Sequence, residues 1–246
     1  MSSVVGALRA EALKLRHTFF YWTHAALPLL AAGCMLAYFA GTNGRELWQI
    51  TAYVELLGIA LPIVVSLVCG MAVEVETDNH FQVFLGGRAH KGTAYLYKSL
   101  WLMLCGFGAL VLAMVLFGVC YDDLLDKNGL GLWGYCKGAI LLWLGAVPLY
   151  LEHLLLQFQW PKTVSVAVGV AEFVLSALFL TGLGDGLWTL VPCSWSARLV
   201  DTYAVALLMP NLEFPPLPWF MVLPLLVLFG IISVWLYRYE GRTCHD

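Results

Sequence analysis

From Ser99 to Tyr121 the chain carries no charged residue. A helix needs roughly 20 apolar residues to cross the hydrocarbon core of a bilayer, about 30 Å thick. This stretch meets that length, and it has company. The sequence predicts six spans, approximately Phe19–Ala40, Ile50–Val73, Leu96–Cys120, Trp133–Leu156, Thr163–Leu183 and Leu217–Tyr237. Lipid offers no hydrogen-bond partner to a peptide group, so each span has to satisfy its own backbone as a helix. Composition agrees: 61% of the 246 residues are hydrophobic and 12% are charged, against about 25% charged in a soluble domain. The expected fold is therefore an all-α integral membrane protein, one transmembrane domain over residues 1–246 with six transmembrane helices. Arg9, Glu11, Lys14 and Arg16 interrupt the first eighteen residues, so no cleavable signal is expected there.

Lys and Arg concentrate on the cytosolic side of membrane proteins. With six spans, one side holds Arg9, Lys14, Arg16, Arg88, Lys91, Lys98, Lys162, Arg238 and Arg242, and the other holds Arg45, Lys127, Lys137 and Arg198. Nine against four places both termini and the loop between spans two and three in the cytosol. The outer loops are acidic, with Asp122, Asp123, Asp126, Asp185, Asp201 and Glu213. A net charge of −3 without a basic face argues against nucleic acid as a partner.

Three segments outside the spans carry information. Val4, Val5, Leu8, Ala12 and Leu15 fall on one helical stripe, flanked by Arg9, Lys14 and Arg16. They predict an amphipathic helix at the cytosolic interface, or else a plain basic flank that sets topology. The outer segment Gly184–Pro216 is too apolar for a free loop. It fits a re-entrant or interfacial hairpin, which is tolerable only if packed on protein or at the lipid surface. The third, Val73–Lys98, is the most charged stretch of the chain. It places Glu74, Glu76 and Asp78 before Phe81, Phe84 and Leu85, and Arg88, Lys91 and Lys98 after them. Phe81, Phe84 and Leu85 share one helical face, and an apolar face in water calls for a protein partner or the membrane surface.

Reactive constellations are missing from the sequence. There is no H-E-x-x-H, no Glu-Glu pair and no G-x-S-x-G, and the cysteines lack metal spacing. In Gly86–Thr93 the Lys precedes the Gly, the reverse of a phosphate-binding loop. No metal, no cofactor and no catalytic residue is expected. Three acids, Glu55, Glu152 and Glu172, fall inside spans. Ionisable groups in lipid are costly and are functional candidates; Glu172 lies deepest, with structural hydrogen bonding and a translocation path both open to it.

Three places resemble the membrane subunit of type-2 ABC exporters, above all the permeases of lantibiotic self-immunity transporters (the MutG, EpiG and NisG group). They are Leu8-Arg9-Ala10-Glu11-Ala12-Leu13-Lys14-Leu15-Arg16, then Glu74-Val75-Glu76 with Phe81-Gln82 and Leu85, and the tail Trp235-Leu236-Tyr237-Arg238-Tyr239-Glu240-Gly241-Arg242. The resemblance implies a bacterial plasma-membrane permease that expels an amphiphilic antimicrobial peptide. It implies a coupling helix after span two, with Glu74, Glu76, Phe81, Gln82, Phe84, Leu85, Arg88 and Lys91 facing a separate ABC ATPase. That ATPase, in two copies, would carry ATP and Mg, and a second permease, identical or related, would complete the complex. Alternatives are the same architecture exporting a drug, lipid or other peptide, or a proton-coupled secondary transporter using the intramembrane Glu residues.

Overall fold

The computed structural model describes residues 4–42, 44–82, 84, 90–209 and 219–240, and no strand occurs among them. The helices are α1 (Val4–Lys14), α2 (Phe20–Ala40), α3 (Glu46–Asp78), α4 (Lys91–Val119), α5 (Gly131–Gln159), α6 (Lys162–Leu180), α7 (Trp195–Leu208) and α8 (Val222–Arg238). Five of them, α2 to α6, are long and apolar enough to cross a membrane. The sixth expected span corresponds to α8, which has 17 residues. It rises about 26 Å at 1.5 Å per residue, slightly less than a bilayer core of about 30 Å.

α3 extends well beyond its expected span. Its 33 residues rise about 50 Å, roughly 20 Å more than a bilayer core of about 30 Å, and it runs on past Val73 to Asp78. The reason is local. Between Val73 and Asp78 there is no Gly or Pro to stop the helix, and Glu and Val there accept helical backbone. The helix ends where His80 (φ 49°) and Phe81 (φ 56°) adopt left-handed backbone in succession. The Phe81 N–H then bonds the Glu76 carbonyl at 2.8 Å, satisfying one of the carbonyls orphaned at a helix end. Left-handed backbone costs a non-glycine residue roughly 1–2 kcal/mol. Burying a phenylalanine returns about 1.5–3 kcal/mol, and Phe81 and Phe84 are both buried.

The segment expected as a re-entrant or interfacial hairpin folds back onto the helical bundle. After α6 the chain makes short 3-10 turns at Gly182–Gly184, Trp188–Leu190 and Pro192–Ser194, and then α7 returns. α7 packs between α3 and α5, with Trp195, Ala197 and Val200 fully buried. The approach is close enough to require glycine on both neighbours. A Cβ at Gly58 of α3 would stand 2.7 Å from the Ala197 nitrogen, and one at Gly145 of α5 would stand 2.8 Å from the Ser196 hydroxyl. The non-helical turn before α7 keeps its polar groups paired: the Ser194 hydroxyl donates to Val191 O at 2.8 Å and its N–H to the same carbonyl at 3.1 Å. Irregular backbone buried in protein in this way is what a membrane interior permits. Residues 210–216 of the segment lie outside the described residues.

Both ends of the described chain sit at one end of the bundle. α1 packs on α4, and Tyr239 packs on Phe81 and Phe84.

Gly58→Val is expected to destabilise the protein by about 1–3 kcal/mol through overpacking, read as a lower thermal midpoint in detergent. Gly33→Ala, with nothing near its added carbon, leaves the midpoint unchanged. His80→Gly, relieving one left-handed residue, raises stability by about 1 kcal/mol.

Candidate functional site

At the end of the bundle shared by α1 and the projecting end of α3, four charges meet. Lys14 Nζ lies 2.7 Å from Glu11 Oε1 and 2.7 Å from Glu76 Oε1. Lys98 Nζ lies 2.7 Å from Glu11 Oε2 and 2.9 Å from Glu76 Oε1. The four alternate in sign around a closed ring of zero net charge. Glu76 and Lys98 side chains are 2% and 3% exposed, and Lys98 adds a bond to the Ala72 carbonyl at 3.5 Å. Each acid thus sees two ammonium groups and each base two carboxylates, the arrangement a charge needs to remain buried.

The ring draws on three elements. Glu11 and Lys14 are one helical turn apart on α1, Glu76 is on the projecting end of α3, and Lys98 is two turns into α4. This corrects two expectations. The predicted stripe of α1 does not face one way: Val4 and Val5 are 54% and 74% exposed, while Leu15 and Glu11 are buried. The helix docks on protein through its acid because two lysines there neutralise it. Glu76, expected to face a partner, is likewise turned inward. Arg9 and Arg16 are exposed and Leu8 is half-buried.

A second cluster locks the same end. Phe81 and Phe84 pack on Phe158 of α5, with ring centroids 5.8 and 4.7 Å apart, and both meet Tyr239 at 6.2 Å. Tyr95 of α4 and Trp235 of α8 complete it, each about 6 Å from Phe158. Lys91 donates to the Tyr239 carbonyl, and the Tyr95 hydroxyl to Leu151 O at 2.7 Å. The expected unpartnered apolar face is therefore covered by the chain's own aromatic residues. Aromatic pairs of this kind add roughly 0.5–1.5 kcal/mol each beyond area burial. Leu85 and Arg88 lie outside the described residues. Among the described residues from Val73 to Gln82, the exposed ones are Glu74, Asp78, Asn79, His80 and Gln82. Glu74 pairs with Lys162 at 3.0 Å on the surface, an interaction worth little in water.

Of the three acids expected inside spans, Glu172 has a hydrogen-bond partner that sequence reasoning missed. Glu172 Oε2 accepts from His153 Nε2 at 2.8 Å, and His153 Nδ1 is 3.0 Å from Ser165 Oγ. His153 and Ser165 are fully buried. Ser165, Gly169, Glu172 and Ser176 form one small-and-polar stripe of α6 at helical spacing, the signal from which this packing face was readable. Glu152, half-buried, lies close enough to Glu172 and His153 to feel their charges. Glu55 lies beside Asp201 of α7, next to Arg198. Arg198 in turn donates to the Thr181 carbonyl at 2.8 Å and to Asp185 at 2.9 Å, tying α7 to the end of α6. Where the C-terminal end of α3 meets the N-terminal end of α6, a cleft of about 230 Å³ is lined by Glu74, Asp78, Gln157 and Lys162.

Among the described residues no group of three or more His, Cys, Asp or Glu is placed to hold a metal ion. No family model matches the chain, and neither a curated protein nor a solved structure is similar to it.

Glu76→Ala leaves the half-buried Lys14 and the buried Lys98 sharing one carboxylate. It is expected to cost about 3–5 kcal/mol, while replacing all four ring residues with Leu and Met recovers most of that loss; thermal unfolding in detergent measures both. The ring also has a pH signature. Burial alone would lower the Lys14 ammonium, but hydrogen bonds and proximity to Glu11 and Glu76 carry it above its ordinary 10.5. A raised base contributes stability that is complete below its unfolded pKa and lost as pH climbs through the folded one. The stability gap between wild type and Lys14→Met therefore narrows as pH rises past 10.5.

Proposed function

We propose that the chain is the permease subunit of an ATP-driven exporter resembling lantibiotic-immunity transporters. In this reading it sits in a bacterial plasma membrane with both termini in the cytosol, and α8 serves as the sixth span. It expels an amphiphilic antimicrobial peptide to the outside. ATP and Mg belong to a separate ATPase present in two copies, and a second permease, identical or related, completes the complex.

The observation that carries the reading is the locked end of the bundle. α3 projects past the bilayer core as an unbroken helix. The charge ring ties that projection to α1 and α4, and the aromatic cluster ties its continuation to α5 and α8. Force applied to the exposed edge formed by Glu74, Asp78, Asn79, His80 and Gln82 would be delivered to five helices together. Such rigid-body transmission is how a push on one element repositions others. An exporter driven by an external motor needs this; a free loop would yield without moving the spans. Phe81 and Phe84 then act as the anchor of the coupling segment, and the neighbouring polar side chains as its contact surface.

A second reading rests on a different observation. The chain from Ser165 through His153 to Glu172, one to two turns from the cleft lined by Gln157 and Lys162, has the donors and acceptors of a proton path. It favours a proton-coupled secondary transporter.

Purification of the tagged chain from its own membranes in mild detergent separates the two. An ABC ATPase and its Mg-dependent ATP hydrolysis are expected to accompany it. Asp78→Arg combined with Gln82→Arg is expected to lose the ATPase while keeping the thermal midpoint, because both side chains are exposed. Transport that persists without any ATPase and is abolished by Glu172→Gln refutes the ATP-driven reading in favour of the proton-coupled one.

A further inference from the structure

Between α2, α3 and α4 lies a cavity of about 170 Å³ that neither the charge ring nor the aromatic cluster touches. Its size is similar to the roughly 150 Å³ apolar cavity that stays dry and takes up benzene or xenon. Leu27, Leu57, Leu61, Val64 and Leu110 supply apolar walls. α2 packs chiefly on α4 and only sparingly on α3, and the wall residue Leu27 is 38% exposed. The seam between α2 and α3 is thus the side from which a bilayer component reaches the space.

Three polar side chains line the cavity, Thr23 and His24 of α2 and Tyr150 of α5. Tyr150 is 3% exposed, and its hydroxyl stands against Gly106 of α4. Among the described residues that hydroxyl donates to no group, and it belongs to the cavity lining. His24 has Nδ1 2.8 Å from the Phe20 carbonyl. A carbonyl only accepts, so Nδ1 carries the hydrogen and Nε2 of the neutral ring remains an acceptor. From Thr23 the cavity follows α2 to Ala31, about 12 Å at 1.5 Å per residue, past Leu57 and Ala113.

We propose that this cavity binds one alkyl chain of a membrane-dwelling amphiphile. The chain lies along α2 towards Ala31 and Leu57, and an ester or amide carbonyl at its head accepts the Tyr150 hydroxyl. An alkyl chain fits because the walls are apolar and laterally reachable. The carbonyl fits because the Tyr150 hydroxyl lines the cavity and donates to no group among the described residues. The assignment is independent of what drives transport, and it holds for a resident phospholipid or for the tail of a transported amphiphile.

Photolabelling tests it. The full chain is placed in vesicles of phosphatidylcholine and phosphatidylglycerol. One arm contains a phosphatidylcholine with a mid-chain diazirine; a second contains a single-chain N-acyl amino acid with the same group; a third contains a diazirine alkane without a carbonyl. After irradiation, adducts are mapped by mass spectrometry. Adducts on Leu57, Ala60 and Ala109 exceeding those on Leu223 and Leu226, which are lipid-exposed on α8, are expected in the first or second arm. Labelling by phosphatidylcholine identifies a resident lipid, and labelling by the single-chain probe alone identifies a mobile amphiphile; either supports the proposal. Ala109→Phe fills the space and loses the excess. Tyr150→Phe removes one oxygen and lowers cavity labelling by the carbonyl probes about fivefold, the worth of one net hydrogen bond, while leaving the alkane arm unchanged. Thermal unfolding verifies that each variant folds, and Tyr150→Phe decides the matter if Ala109→Phe does not. Equal labelling of the cavity and α8 in wild type, or indifference of the carbonyl arms to Tyr150→Phe, overturns it.

Discussion

Two carboxylates and two ammonium groups occupy one buried site where α1, α3 and α4 converge. Each charge alone would be prohibitively costly there, and only the alternating ring makes the site tolerable. The consequence is geometric. An acid on α1 needs the lysine on α4, and the acid at the end of α3 needs both lysines, so none of the three helices can shift along another without stranding a charge. A ring of apolar residues could match its stability but would tolerate sliding. The position of α1 against the bundle, and of the projecting end of α3, follows from this requirement.

The aromatic cluster acts on the same end with a different physics. Phe81 and Phe84 reach Phe158 only because the chain turns sharply through left-handed backbone at His80 and Phe81. The turn is unfavourable locally and is stabilised by what it buries. Tyr239 joins the cluster from the far end of the chain, so the segment after α3 is held by elements that are distant in sequence. Charge ring and aromatic cluster together make one rigid end from parts that, taken singly, look like a basic flank, a charged loop and a tail. The other half of the bundle is organised by α7, which enters between α3 and α5 on glycine faces and brings Asp201 to Glu55.

Much of the architecture was legible along the chain. Apolar runs of the right length name α2 to α6, because a membrane leaves the backbone no alternative to helix. The unusual apolarity of Gly184–Pro216 pointed to a segment that is not a free loop, and α7 within it packs between α3 and α5. The candidate site was legible only in part. Glu74, Glu76, Phe81 and Lys98 stand out as charged or aromatic residues in one polar stretch between apolar runs, but their spacing reads equally well as a surface for a partner. Glu11 and Lys14 read as parts of an amphipathic helix, since nothing local reveals a neutralising lysine 87 positions away from Glu11. The role of His153 was not legible, because its partners Ser165 and Glu172 lie on the next helix.

The sequence by itself determined which segments are helical and apolar, where charge accumulates and which residues are able to ionise. These are properties of short windows, governed by the length of a lipid core and by helical periodicity. Only the tertiary structure decided which ionisable groups meet. The ring at Glu76, the relay at Glu172 and the covered face of Phe81 all join residues far apart in the chain. Whether a charge points at water or at its opposite is settled by the packing of helices, which no local pattern encodes.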